Sequence, residues 1–307
     1  MNELHGKSRR SRVVPVVLAA AGTAALVVGG GAGTFAAASV SPRAAAIPRP
    51  PKNAAVAALV PASIRSRGSV KVAMDATYAP DEFVAANGKT IVGMDADLNV
   101  AIGAVMGVRW VATNATFDTI IPGLKSGKFD VGNSSFTITA ARAKVVNFVS
   151  YFKAGEAYYV KASSSLKLHG LSSLCGLTVS VESGTTEQTD AQSANTSCKK
   201  ARKKGVNVLS FSDQNAANLA VSSGRAQLGF ADSQVAGYIV QQSHGQFKLD
   251  GPAFAVAPYG IAFPKSSGLD RATLAAVKVL MKDGIYAKIL AKWGVQSGAI
   301  TTPSIVG

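Results

Sequence analysis

Residues 117–142 read FDTIIPGLKSGKFDVGNSSFTITAAR. Residues 117–126 are expected to form a short helix closed by Gly127, because glycine enters the left-handed conformation of a helix end without a Cβ clash. Residues 129–132 read as a strand, and Thr139 as the start of the next helix. Ser134, Ser135 and Thr137 then fall where a parallel strand ends, which is where open α/β sheets bind ligands. Arg142 lies in the first turn of the following helix, and its planar guanidinium suits two-pronged recognition of a carboxylate.

The same alternation extends both ways. Val70, Val72 and Met74 form a strand, and residues 91–94 follow the turn pair Asn87-Gly88, a hairpin signal. Asp95 or Asp97 is expected to cap a helix that places Leu98, Ile102 and Val105 on one face and ends at Gly107; residues 108–111 are the next strand. A second round starts after residues 158–161. It has strands at 178–181, 206–211 and 227–231, with helices at 185–194, 214–222 and 233–242. Asp75 and Tyr78, Gly184 with Thr185 and Thr186, and Asp232 all occupy strand ends or helix starts, where free backbone donors favour anions. The strand at 260–263 and helices at 269–282 and 286–293 lack second-round partners and are expected to return to the first lobe. The expected fold is α/β in two lobes, 67–156 with 259–300 and 157–258, bending at residues 156–160 and 258–261.

Composition narrows the class. With 307 residues, 48% hydrophobic and only 7% aromatic, the chain is globular rather than disordered or fibrous. Its net charge of +15 falls to +10 once the six Lys/Arg and one acid of residues 1–50 are set aside. One basic run remains, Lys199, Lys200, Arg202, Lys203 and Lys204, without interleaved aromatics to stack bases. It reads as a solvated helix end, and no nucleic-acid partner is expected. Lys7, Arg9, Arg10 and Arg12 precede an uncharged stretch that runs to Arg43, with Ala36, Ala37 and Ala38 as a cleavage site. Residues 1–38 are therefore an export segment, or an uncleaved anchor, and 39–66 a flexible tether. The protein is expected outside the cytoplasm, secreted or held at the cell surface. Cys175 and Cys198 are the two cysteines of the chain, so a lipoprotein is not expected and the pair reads as one disulfide. No cofactor or metal is expected, since His5, His169 and His244 show no ligand spacing.

From residue 69 to 299 the chain resembles the polar amino-acid-binding family, family 3, of ABC-transporter extracellular solute-binding proteins. The matching stretches are 75–80, 93–98, 117–128, 134–142, 184–186 and 259–264. The series Ile120, Pro122, Leu124, Gly127, Asp130 and Arg142 carries the resemblance furthest. It implies a class II periplasmic-binding-protein fold, two lobes on two hinge strands, a monomer serving a membrane permease. On the matching positions Arg142 would hold an α-carboxylate with backbone groups at Thr137 and Thr186, and Asp232 an α-ammonium with Ser135. Tyr78 and Phe117 would sandwich the side chain, and Asp75 would meet its polar tip. Taken singly these residues have plainer readings: a surface arginine, two helix caps at Thr185 and Asp232, two core aromatics.

The chain departs from the family at Asp81 and Glu82, at Glu182 and at Ala231. Should Asp75, Asp81 and Glu182 all face the cleft, their field favours a neutral polar or cationic amino acid. Two other classes stay open: a membrane-tethered sensor or docking protein, and a dehydratase-like enzyme on the same fold. Catalysis is poorly provisioned, with no GxSxG elbow, HExxH or glycine-rich phosphate loop.

Overall fold

The computed structural model describes residues 47–307. The export segment and the start of the tether lie outside the described residues, and the remainder of that tether is corrected. Asn53 accepts a hydrogen bond from the Val56 amide and caps helix α1 (Ala54–Leu59); Pro61 precedes α2 (Ala62–Arg67), which Gly68 closes. Val56, Val60 and Ile64 recur every fourth residue and are all buried in the main core. Val60 lies at the break between the two helices, and the Ala- and Pro-rich composition hid both of them.

Strand β1 (Ser69–Met74) alternates buried Val70 and Val72 with exposed Lys71. A small antiparallel sheet follows, made of β2 (Thr77–Tyr78), β3 (Glu82–Val84) and β4 (Ile91–Val92). Helix α3 (Met94–Met106) begins at Gly93, not at an acidic cap. Gly93 has φ +134°, and a Cβ there would lie 2.1 Å from the Asp81 carbonyl oxygen. Asp95 turns into the core, and Asp97 accepts from Lys292 and Trp293. β5 (Arg109–Asn114), α4 (Phe117–Lys125), β6 (Val131–Gly132) and the one-turn α5 (Ala140–Ala143) complete the first half, with β5 and β6 both parallel to β1.

Strand β7 (Val146–Lys161) runs sixteen residues and is buried along nearly all of them. A strand covered on both faces reads as a continuous apolar run rather than an alternation, and Lys153–Glu156 in its middle resembles a turn, so the sequence does not mark it as one strand. Beyond it lie β8 (Thr178–Glu182), α6 (Thr186–Lys200), β9 (Asn207–Phe211), α7 (Gln214–Ser222), β10 (Leu228–Asp232) and α8 (Ser233–Gln242). There β8 is parallel to both β9 and β10. β11 (Phe247–Leu249) pairs with β7, and β12 (Phe254–Pro264) runs back along β7 to the first half. α9 (Leu269–Lys282) and α10 (Ile285–Trp293) then pack against α3, and β13 (Ile305–Val306) adds to β7.

The sheet order β5-β1-β6-β12-β7-β10-β8-β9 places two long antiparallel strands between two parallel halves. This is the two-lobed α/β arrangement with two connecting strands. The register of β12 on β7 breaks between Phe254 and Ala257, where Ala255 has φ +51°. A second register shift falls between Tyr259 and Gly260, within the 258–261 segment expected to bend, while residues 156–160 pair regularly with β10. Cys175 and Cys198 form a disulfide with Cα atoms 5.6 Å apart, pinning α6 to the loop before β8. The basic run at the end of α6 is exposed. No helix among the described residues is long and apolar enough to cross a membrane.

Candidate functional site

Arg142 and Asp232 come from opposite halves and line one cavity, together with Tyr78, Phe117, Ser135, Thr137, Thr185 and Thr186. The cavity is narrow, with about 360 Å³ of space between the atoms. A molecule the size of an amino acid enters or leaves only when the halves part. Two larger open grooves lie elsewhere, of about 1220 and 1200 Å³, but their charged lining residues are Lys153 in one and Asp75 and Asp213 in the other. The narrow cavity gathers groups of both signs.

Arg142 is held rigidly. Thr139 caps α5 by accepting the Arg142 amide. The guanidinium donates to the Thr137 carbonyl at 2.8 Å and, across the halves, to the Gly184 carbonyl at 2.9 Å. Its carbon sits 5.2 Å from the Phe117 ring centre and 5.5 Å from that of Phe136. Two of its five N–H donors are thus engaged, and the others remain for a ligand. Burial lowers its pKa from the ordinary value, while Glu187, then Tyr78 and Asp232, pull it back up.

Across the cavity, Thr185 caps α6 by accepting the Gln188 amide. The first backbone N–H groups of that helix have no partner within it, and Thr186 is its first residue. Asp232 ends β10 and precedes α8. Burial, with Glu187 nearby, raises its carboxyl well above the usual range.

Two expected residues do not line the cavity. The Ser134 hydroxyl lies behind the wall, accepting from the Asp75 amide at 2.8 Å and donating to Glu82 at 2.7 Å. Asp75 is 2% exposed and accepts from the Thr77 hydroxyl and the Phe117 amide, which hold its carboxylate against the start of α4. The aromatic sandwich is also corrected. Tyr78 and Phe117 meet edge to face at 5.7 Å, and Phe117 stacks on Phe136 at 4.5 Å. They form a wall, with no gap between the rings for a side chain.

Of Asp75, Asp81 and Glu182, only Glu182 lines the cavity. Asp81 is fully buried beside Glu82 and Asp95, and the three carboxylates are interleaved by hydroxyls. The Ser135 hydroxyl lies 3.0 Å from Asp81 and 3.3 Å from Glu82; Tyr151 and the Ser135 amide donate to Asp95. From the other half, Gln234 donates to Asp81 at 2.6 Å and to the Tyr259 hydroxyl at 2.8 Å. Burial, compounded by Asp95, raises Asp81 to about 8; burial raises Asp95 to about 6. Ser135 accommodates these contacts at φ +51°, unusual for a residue with a Cβ.

Sequence reasoning missed Glu187, Gln214, Phe230 and Val235, which also line the cavity. Glu187 carried a signal, an acid in the first turn of a helix, but that position is electrostatically favourable in any helix. Its 3% exposure could not be read from spacing.

Two parallel-sheeted halves joined by two strands, meeting over a cavity lined by a cation from one half and carboxylates from the other, define a two-lobed solute-binding protein. The chain belongs to the bacterial extracellular solute-binding proteins, family 3, which it matches over residues 70–296. It is 30% identical to the arginine-binding protein ArgT of Corynebacterium glutamicum over 246 residues, 80% of each chain. It is also 30% identical to the lysine/arginine/ornithine-binding periplasmic protein of Escherichia coli K12, covering 73% of this chain and 87% of that one. Among solved structures, an ancestral arginine-binding protein bound to arginine superposes with a TM-score of 0.68 at 38% identity, over 74% of this chain and 98% of that one. These relatives are named as binding proteins, not enzymes.

Proposed function

We propose that this protein is the extracytoplasmic substrate-binding component of an ABC importer, capturing a polar amino acid between its lobes. The observation that carries the reading is that Arg142 and Asp232 reach the same cavity from opposite halves. In this assignment Arg142 takes the α-carboxylate, joined by the first amides of α6 at Thr185 and Thr186 and by Thr137. Asp232 takes the α-ammonium, with Ser135 and Glu187 beside it. Tyr78 and Phe117 wall the space for the side chain. Asp75 acts on the side-chain end from behind the cavity, and Ser134 only supports it. The lobes divide as 67–156 with 259–300 and 157–258, and a ligand gripping both shifts the population toward the closed arrangement. A cationic side chain is favoured over an acidic one, supported by the surplus of carboxylates in the cavity and by the arginine named in the relatives. Cys175–Cys198, a structural disulfide, fits an exported protein.

Titration calorimetry with arginine, glutamine and glutamate tests the assignment. Arginine binds one to one and glutamate binds weakest. In Arg142→Ala the ligand carboxylate is buried without its partner, and affinity falls by about 2–5 kcal/mol. Unchanged affinity in that variant, or a tight preference for glutamate, refutes the assignment. Recovery of the bound amino acid unchanged separates capture from a dehydratase-like reaction.

A further inference from the structure

Glu182 ends β8 in the second half, 1% exposed, and lines the cavity with both carboxylate oxygens buried and without a hydrogen-bond partner. In the other half, Asp75 follows the end of β1, and its charge is the one that bears most on Glu182. Two ionised carboxylates have no donor to share, and the side-chain charges that bear most on Glu182 are acidic. The cavity therefore has two electrostatic ends. The charges that act on Arg142 are those of Glu187 and Asp232, with the Tyr78 and Tyr259 hydroxyls. Those that act on Glu182 are Asp75 and Asp213, with the buried and unpartnered Tyr78 hydroxyl.

The Asp75–Glu182 pair exists only when the halves meet, because its members belong to different halves. Closing over an uncharged side chain forces two like charges together out of water, which is unfavourable unless one is neutralised. Closing over a guanidinium or ammonium places the missing positive charge against Glu182, with Asp75 behind it. We propose that Glu182 is the specificity-determining residue, selecting a cationic side chain by making closure over a neutral one depend on uptake of a proton from solvent. This rests on the capture of an amino acid proposed above. Burial, with Asp75 next to it, pushes Glu182 up to about 10, the direction expected for closure without a cation. Opened to water, Glu182 returns toward its ordinary 4.5, so closure over a neutral ligand takes up one proton throughout the neutral range.

Arginine and citrulline, matched in shape and differing in charge, test this by calorimetry in buffers of different ionisation enthalpy. With the wild-type protein, citrulline binding takes up close to one proton at pH 7 and weakens by about tenfold per unit as pH rises from 6 to 8. Arginine binding takes up none and is flat over that range. Glu182→Gln abolishes the proton uptake on citrulline and cuts the arginine-to-citrulline affinity ratio by at least about tenfold. Proton-neutral citrulline binding in the wild type overturns the proposal without any variant, and so does an unchanged ratio in Glu182→Gln. If the wild type binds neither amino acid, the capture reading falls and this one with it; if it binds both with the same proton count, only this one falls.

Discussion

Asp81, Glu82 and Asp95 are three acids enclosed together, with Ser134, Ser135, Tyr151 and Gln234 as their donors. Such a group keeps protons that the unfolded chain releases. Asp81 is raised from 3.8 to about 8, so its contribution is fully present below pH 4 and is lost as pH climbs through about 8. Thermal unfolding should show a midpoint that falls between pH 5 and 8. Asp81→Asn should flatten that fall by on the order of 1 kcal/mol per pH unit; an equally steep fall in the variant would show that the acids are solvated. The positions of these acids in the chain were plain, but their depth was not. Asp81 follows Pro80 in a turn and precedes the acidic Glu82, a pattern of exposure, and only the packing of β3 and α3 over it removes it from water.

Elements were legible where glycines and caps bracket them. Helices α7, α8 and α9 fall on the residues expected, and Gly107 and the glycine after α4 close their helices as read. Legibility failed where both faces of an element are buried, as in β7, or where small side chains blur the period, as in α1. The latter is a measurable difference. Val60 is 1% exposed in the main core, so Val60→Ala should destabilise by about 2 kcal/mol in denaturant unfolding, whereas a tether residue would tolerate the change without effect. At the site the same limits apply. Arg142, Thr185 and Asp232 stand at element ends and were legible there. Glu187 sits inside a helix turn and was not, because its orientation depends on how α6 meets the other half.

At the scale of the whole molecule, few polar links hold the halves together. Among the described residues they are Arg142 to Gly184, Gln234 to Asp81 and to Tyr259, the Gln214 amide to the Thr77 hydroxyl, and the Gly155 amide to the Ser233 hydroxyl beside the connecting strands, aided by Phe83 against Tyr238 at 6.1 Å. A few hydrogen bonds of about 1 kcal/mol each, exchanged for bonds to water on opening, do not lock a hinge. A ligand that adds charged contacts to both halves at once can shift that balance. Small-angle X-ray scattering with and without arginine, on the wild type and on Arg142→Ala and Asp232→Ala, is the most direct measurement of this. The radius of gyration should contract on adding arginine to the wild type and stay unchanged in both variants at the same concentration. Binding of arginine without contraction, or contraction that survives the loss of either charged group, would contradict closure over a zwitterion held from both sides.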